Sequence, residues 1–410
     1  MINLLKKSFL KMKKSIWVIV ITLTAALIGY SIWEISKEEE IRASISVAEA
    51  MGGGDDEGYL RATGPREFVF PDDHGPHPGF RTEWWYYTGN VFTEEGRQFG
   101  YQFTIFRSQM SPPESGSQDN AFSENWNTNQ LYLGHFAVSD VEAEDHVFEE
   151  RYSRGAAGLA GSQADPHRIW LEDWEIKQIE TEGGDDKNFT VNIQAEMEDG
   201  ISINFDITPS KPLVLQGEDG YDPKGSETGN ASYYLAFTRM KTNGVITKDG
   251  QEYRVSGDSW MDHEWSTSAL DEDQEGWDWF SIQLSNNYEI MYYQLRNSDG
   301  SVSKFTNGSV IDPDGNKVNF DTKEVTLEVL DTWKSPHSGA NYPSAWNLSI
   351  PGRNIDLQVE TAFSDQEMDV SVRYYEGVIR LRGVMNGEEI TGNGFVEMTG
   401  YGENKNNEVR

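Results

Sequence analysis

The chain contains no cysteine among its 410 residues, which excludes disulfide scaffolds, thiolate metal sites and thiol catalysis and leaves the redox compartment unspecified. Positive charge is scarce. The 34 Lys and Arg stand against 68 Asp and Glu, for a formal net charge of −34. Beyond the N-terminus the basic residues form no cluster, so a nucleic-acid partner, which needs grouped Lys and Arg against phosphates, is not expected. No Gly-Lys-Ser/Thr phosphate loop, nucleophile elbow or His-Glu-x-x-His occurs. NTPase, α/β-hydrolase and zincin chemistry therefore have no support. Few windows carry a helical period.

One long apolar run is present. Residues 15–33 hold no charge over 19 positions, which at about 1.5 Å per residue approaches the roughly 30 Å hydrocarbon core of a bilayer. Lys6, Lys7, Lys11, Lys13 and Lys14 precede the run and an acid-rich stretch, 34–40, follows it. This bias predicts a cytoplasmic basic segment over 1–14, a single-pass transmembrane signal anchor over 15–33 and a flexible linker over 34–64. The rest of the chain is expected on the extracytoplasmic side, periplasmic or at the cell surface. Bulky Tyr30 and Trp33 close the run, and the nearest Ala-x-Ala, Ala48-Glu49-Ala50, lies beyond charged residues. An uncleaved anchor is favoured over a cleaved signal peptide, and either places the globular part outside.

After Pro65 short runs rich in Val, Ile, Tyr, Phe, Trp and Thr alternate with polar residues, as in 101–106, 189–193, 201–207 and 355–359. Turn signals Glu95-Gly96, Asp199-Gly200, Asp249-Gly250, Asp299-Gly300, Asp314-Gly315 and Asn386-Gly387 stand between them. Strands and hairpins without helices predict an all-β sandwich or barrel. A loose repeat, an aromatic-rich hairpin ending in Arg at 85–107 and again at 279–296, suggests two similar domains, 65–255 and 256–402. Residues 110–129 are read as a surface loop.

Three clusters carry candidate chemistry. His74 and His77 stand in a Pro-rich loop beside Asp72 and Asp73, a spacing that favours histidines facing a ligand pocket or hydrogen-bonded within the loop over a metal site. In Glu83-Trp84-Trp85-Tyr86-Tyr87, strand alternation puts Trp84 and Tyr86 on one face and Glu83, Trp85 and Tyr87 on the other. Glu83, desolvated among aromatics, is then either a proton donor with a raised pKa or the partner of an arginine at a barrel rim. In Asp262-His263-Glu264-Trp265 the flanking carboxylates favour charged His263, and Trp265 offers a cation-stabilising wall.

The run His74 to Gly89, the Asp262-His263-Glu264-Trp265 motif and Trp277-Asp278-Trp279-Phe280-Ser281-Ile282-Gln283-Leu284 together resemble the hydroxyneurosporene synthase (carotenoid 1,2-hydratase) and AttH-like family, from about Pro65 to Tyr401. The resemblance implies two lipocalin-like antiparallel β-barrels. It further implies catalytic roles for His263 and Trp265, joined by a downstream Tyr and Asp. Tyr293 matches the Tyr, whereas Met291-Tyr292-Tyr293-Gln294-Leu295-Arg296 holds no Asp. The expected catalytic set is His263, Trp265, Glu83 and Tyr293, and the expected ligand-binding set is Trp84, Trp85, Tyr87, His74, His77, Trp277 and Trp279. No cofactor or metal is expected. The expected partners are a lipophilic small molecule, isoprenoid- or polyketide-like, and the membrane through the N-terminal helix. Two functions stay open: acid–base hydration or isomerisation of an unsaturated chain, and non-catalytic carriage of a lipophilic ligand.

Overall fold

A computed structural model describes residues 56–113, 128–179, 189–268, 270–271 and 273–402. The expected anchor, most of the linker and most of the 110–129 loop lie outside the described residues. Among the described residues no helix is long and apolar enough to cross a membrane, and the helical elements are two 3-10 turns, Asp72–His74 and Pro351–Arg353.

Everything else regular is β. The strands form two antiparallel sheets, one of thirteen strands running from Thr82 to Ser266 and one of ten strands from Gln274 to Thr399. Each sheet curls into a barrel-like shell. In the first, the strand Arg168–Leu171 comes back across Gln98–Gln109, Gln130–Asp140 and Asp145–Arg154. The two sheets share a plan. The opening strand of the first, Thr82–Phe92, pairs with the next strand, Gln98–Gln109, and with the last, Gln251–Ser266. In the second, Gln274–Leu284 pairs in the same way with Glu289–Asn297 and Glu388–Thr399. The hairpin repeat visible in the sequence marks these equivalent openings.

The turn chemistry explains where strands reverse. Asp249-Gly250 and Asn386-Gly387 have positive φ at both positions (54° and 73°, 55° and 85°), the tight geometry that matches strand twist in a two-residue hairpin. The expected domain boundary moves for this reason. Asp249-Gly250 joins two strands of the first sheet, so the chain passes to the second sheet after Ser266 rather than at 255.

Each sheet encloses its own core, with Trp85, Tyr87, Phe103, Phe136 and Trp174 in the first and Phe280, Tyr292, Trp346 and Tyr375 in the second. A third cluster, including Tyr86, Tyr234, Trp260, Trp279, Tyr293, Val378 and Phe395, packs between the sheets. The approach is close enough that a methyl group on Gly100 would collide with Val378. Polar bonds cross the same junction. Tyr86 donates to Glu376 Oε2 at 2.8 Å, Asn90 Nδ2 to the Gly394 carbonyl at 3.1 Å, and Arg239 Nε to Glu289 Oε1 at 2.6 Å.

Candidate functional site

The register between Thr82–Phe92 and Gln251–Ser266 sets Glu83 opposite Trp265, Trp84 opposite Glu264, Trp85 opposite His263 and Tyr86 opposite Asp262. Because side chains alternate, this register sorts both motifs into two faces. Glu83, Trp85, Tyr87, His263 and Trp265 share the face turned into the first sheet's interior. Trp84, Tyr86, Asp262 and Glu264 face the second sheet.

The inner face holds a closed polar network. Glu83, fully buried, accepts from Arg107 Nε on Oε2 at 2.8 Å, and its Oε1 lies 2.7 Å from His77 Nδ1 and 2.8 Å from His263 Nε2. His77 Nε2 reaches Asp73 at 2.8 Å, and Arg66 also donates to Asp73. His77 stacks on Trp265 at 3.6 Å and His263 on Trp85 at 4.9 Å. Burial pushes the Glu83 pKa up, but Arg107, His77 and His263 outweigh it and hold the carboxyl well below its ordinary range. Of the two expected alternatives, a proton donor with a raised pKa and the partner of an arginine, the structure shows an arginine partner, Arg107, and a lowered pKa, because three donors converge on the carboxylate.

The adjacent expectation reverses. The carboxylates that flank His263 in sequence point to the other side of the sheet, and burial lowers its pKa. His77, Glu83 and His263 bring potential ligand atoms within 4.8 Å of one another. Their contacts have hydrogen-bond lengths, shorter than the roughly 3.3 Å between ligands that share a tetrahedral zinc, and Arg107 occupies the second carboxylate oxygen. The residues fit a structural network better than a metal centre.

The outer face borders a cavity of about 170 Å³ between the two sheets. Trp84, Tyr86, Phe106, Trp277, Trp279 and Tyr374 give it aromatic walls, with Leu133, Leu270 and Leu295 among them. Five carboxyl groups border it: Glu83 of the inner network, and four outside that network, Asp262 and Glu264 from the first sheet and Glu376 and Glu397 from the second. Tyr234 and Trp260 Nε1 donate to Asp262 at 2.6 and 2.7 Å, and Trp279 Nε1 donates to the Tyr234 hydroxyl at 3.0 Å. Lys224 lies 2.8 Å from Asp222 and 3.0 Å from Glu264. Those two carboxylates keep Lys224 charged against burial, which pulls the other way.

Burial is the largest influence on all four acids outside the network, and it pushes each toward its neutral form. The Asp262 and Glu376 pKa values stand well above the ordinary carboxyl range, the latter raised further by Glu397, and that of Glu264 is raised despite Lys224. Glu397, whose Oε1 accepts from Trp277 Nε1 at 2.9 Å, is pushed up to about 7. Carboxyl groups biased toward the acid form inside aromatic walls are suited to donating a proton.

Of the expected catalytic residues, Tyr293 lines the cavity, while His263 and Trp265 belong to the inner network with Glu83, which borders the cavity from that side. Of the expected ligand-binding residues, Trp84, Trp277 and Trp279 line the cavity. Trp85 and Tyr87 are buried in the first core, His77 joins the network, and His74 stacks on Phe189 at 4.1 Å. The carboxylate partner of Tyr293 comes from a distant strand, Tyr221–Pro223. The Tyr293 hydroxyl donates to Asp222 Oδ1 at 2.9 Å, and Asn307 joins them. Asp262 and Glu264 were findable from the alternation that sorts Glu83 to Tyr87. Glu376 and Glu397 carry no local signal.

The AttH-like family matches residues 61–401, and the chain belongs to that family. An AttH protein from Nitrosomonas europaea has a crystal structure that is similar at 29% identity and a TM-score of 0.71, covering 83% of this chain and 99% of that one. Kievitone hydratase from Nectria haematococca shares the fold at 15% identity and a TM-score of 0.61, over 83% of this chain and 98% of its own. No curated protein matches the chain.

Proposed function

We propose that this AttH-like protein binds the apolar, unsaturated part of a lipophilic molecule between its two sheets and transfers protons to it, as in hydration or isomerisation of a carbon–carbon double bond. The observation that carries the reading is the set of four carboxyl groups, Asp262, Glu264, Glu376 and Glu397, biased toward their acid forms within one aromatic-walled cavity. Protonating an alkene leaves a carbocation. The faces of Trp84, Trp277 and Trp279 can stabilise such a cation, and a cavity that rations water limits its unwanted capture.

The volume supports an end-group substrate. A cavity of about 170 Å³ compares with the roughly 150 Å³ that takes up benzene in an engineered protein core, so it encloses one ring or one branched alkenyl end rather than a whole long chain. An isoprenoid or carotenoid end group and a prenylated or polyketide ring are of that size. A hydratase among the proteins that share the fold agrees with the reading, although fold alone assigns no chemistry. In this reading His263 and Trp265 stiffen the wall behind the cavity, and Tyr293 with Asp222 and Lys224 forms its polar end.

The test is mass spectrometry of lipophilic molecules extracted from the purified chain, compared with the Glu397→Gln variant. We expect the variant to retain an unsaturated compound that the unmodified protein converts. Identical compounds in both, bound but never converted, would replace the enzyme by a carrier.

We also propose that residues 15–33 anchor the chain and that the cavity works outside the cytoplasm. The full chain should then stay with membranes in high salt and leave them only in detergent, its intact mass retaining Met1. Release by salt would remove the anchor, and an N-terminus near Met51 would show cleavage.

A further inference from the structure

One buried histidine on the cavity wall lies outside both sequence motifs. His135, on Gln130–Asp140, stands directly across from Glu150 on the neighbouring strand Asp145–Arg154. It is 2% exposed, and its Nε2 lies 3.0 Å from Glu150 Oε2. Its Nδ1 lies 2.6 Å from the hydroxyl of Tyr374, which opens the strand Tyr374–Met385 of the other sheet. His135 and Tyr374 both border the cavity, and the Glu150 side chain, 16% exposed, reaches the surface side.

These contacts fit one ordered arrangement of donors and acceptors. Burial pushes the Glu150 pKa up, but hydrogen bonds from His135 and from Ser371, whose hydroxyl lies at 2.5 Å, outweigh it and keep the group ionised. An ionised Glu150 accepts a hydrogen bond from the Nε2–H of His135. The Nδ1 lone pair is then left to accept the Tyr374 O–H. Carboxylate, imidazole and hydroxyl stand in the order by which a base, oriented by a third group, activates a hydroxyl. The hydroxyl does not ionise by itself, since burial and the nearby Glu376 and Glu397 raise its pKa well above the ordinary value. It can pass one proton on as it receives another.

We propose that Tyr374, His135 and Glu150 form a proton relay through which the Tyr374 hydroxyl acts as the base of the cavity, with His135 and Glu150 as its positioning residues. The proposal rests on the acid–base reading above. In a hydration, the alkene π pair takes the proton of the Glu397 carboxyl to form a C–H bond, and a lone pair of water forms the C–O bond to the resulting cation. One water proton goes to the Tyr374 oxygen while the Tyr374 proton moves to His135 Nδ1. The imidazolium, paired with Glu150, releases a proton to solvent and Glu397 regains one, so that alkene and water give an alcohol with nothing left over.

Tyrosine activation can be read without the natural substrate. Benzenesulfonyl fluoride, small and uncharged, forms an S–O bond to an activated tyrosine oxygen as the S–F bond breaks, fluoride leaves and the hydroxyl proton passes to the base. Peptide mass spectrometry of the full chain should find Tyr374 modified, and His135→Gln and Glu150→Gln should each lower its rate by about tenfold or more with the circular dichroism spectrum unchanged. If His135→Gln does not fold, Glu150→Gln, on the surface side, decides alone. Unchanged Tyr374 labelling in the folded variants would overturn the relay. Tyr86, Tyr234 and Tyr293 line the same cavity. Modification of these with Tyr374 untouched would overturn the relay and leave the cavity reading standing, whereas no modification of any of the four would overturn both.

Discussion

Glu397→Gln should lower turnover of the bound unsaturated compound by about 10²–10⁴-fold, the usual contribution of a positioned general acid, while binding should change by no more than a few-fold. The amide keeps the shape of the side chain and can still accept from Trp277 Nε1, so the ground-state complex is preserved. Only the transferable proton is lost, and an interaction needed in the transition state alone appears in kcat rather than in affinity. The same group fixes the pH dependence. With its pKa pushed up to about 7, Glu397 is mostly protonated below that pH, and kcat should fall as pH rises through it. Stopped-flow or quenched-flow rates across pH 5–9, set beside equilibrium binding, measure both effects. A variant whose kcat is unchanged would remove Glu397 from the chemistry.

Glu83→Ala should cost about 3–5 kcal/mol of folding stability, because removing one partner of a buried ion pair leaves the other charge uncompensated. Arg107 is fully buried beside it, and His77 and His263 lose their shared acceptor. The pH sign follows from the depressed pKa. The folded Glu83 carboxyl titrates well below its unfolded value, so its contribution is present above the ordinary carboxyl pKa and is lost as pH falls toward the folded one. Urea unfolding at pH 7 and pH 4 should show a large gap between the two proteins at pH 7 that narrows at pH 4. A loss of turnover with full stability would instead make Glu83 a direct participant.

The two faces of Glu83 to Tyr87 were legible from alternation alone, as were the hairpins at Asp249-Gly250 and Asn386-Gly387 and the doubled all-β plan. The same alternation separates His263 and Trp265 from Asp262 and Glu264. It does not say which pair faces the ligand, since that depends on the second sheet docking on the Trp84 side. Register between strands far apart in sequence was also beyond reach. It places Glu83 beside His263, 180 positions away, and Tyr293 beside Asp222, 71 positions away. The acids of the second sheet were hidden for a related reason. Glu376 and Glu397 sit in ordinary alternating strands, and only burial against Tyr86 and Trp277 makes them unusual. His135 and Glu150, opposite each other on adjacent strands, become chemically interesting only when Tyr374 arrives from the other sheet.

The central claim, that burial biases the carboxyl groups of the inter-sheet cavity toward their acid forms, is open to infrared spectroscopy. The carbonyl stretch of a protonated carboxyl group is separate from the bands of a carboxylate, and deuterium shifts it. At pH 6.5 the unmodified protein should show this band, and the Glu376→Gln, Glu397→Gln double variant should lose a large part of it. A spectrum without protonated carboxyl intensity at that pH, or one that the double variant leaves unchanged, would contradict the account.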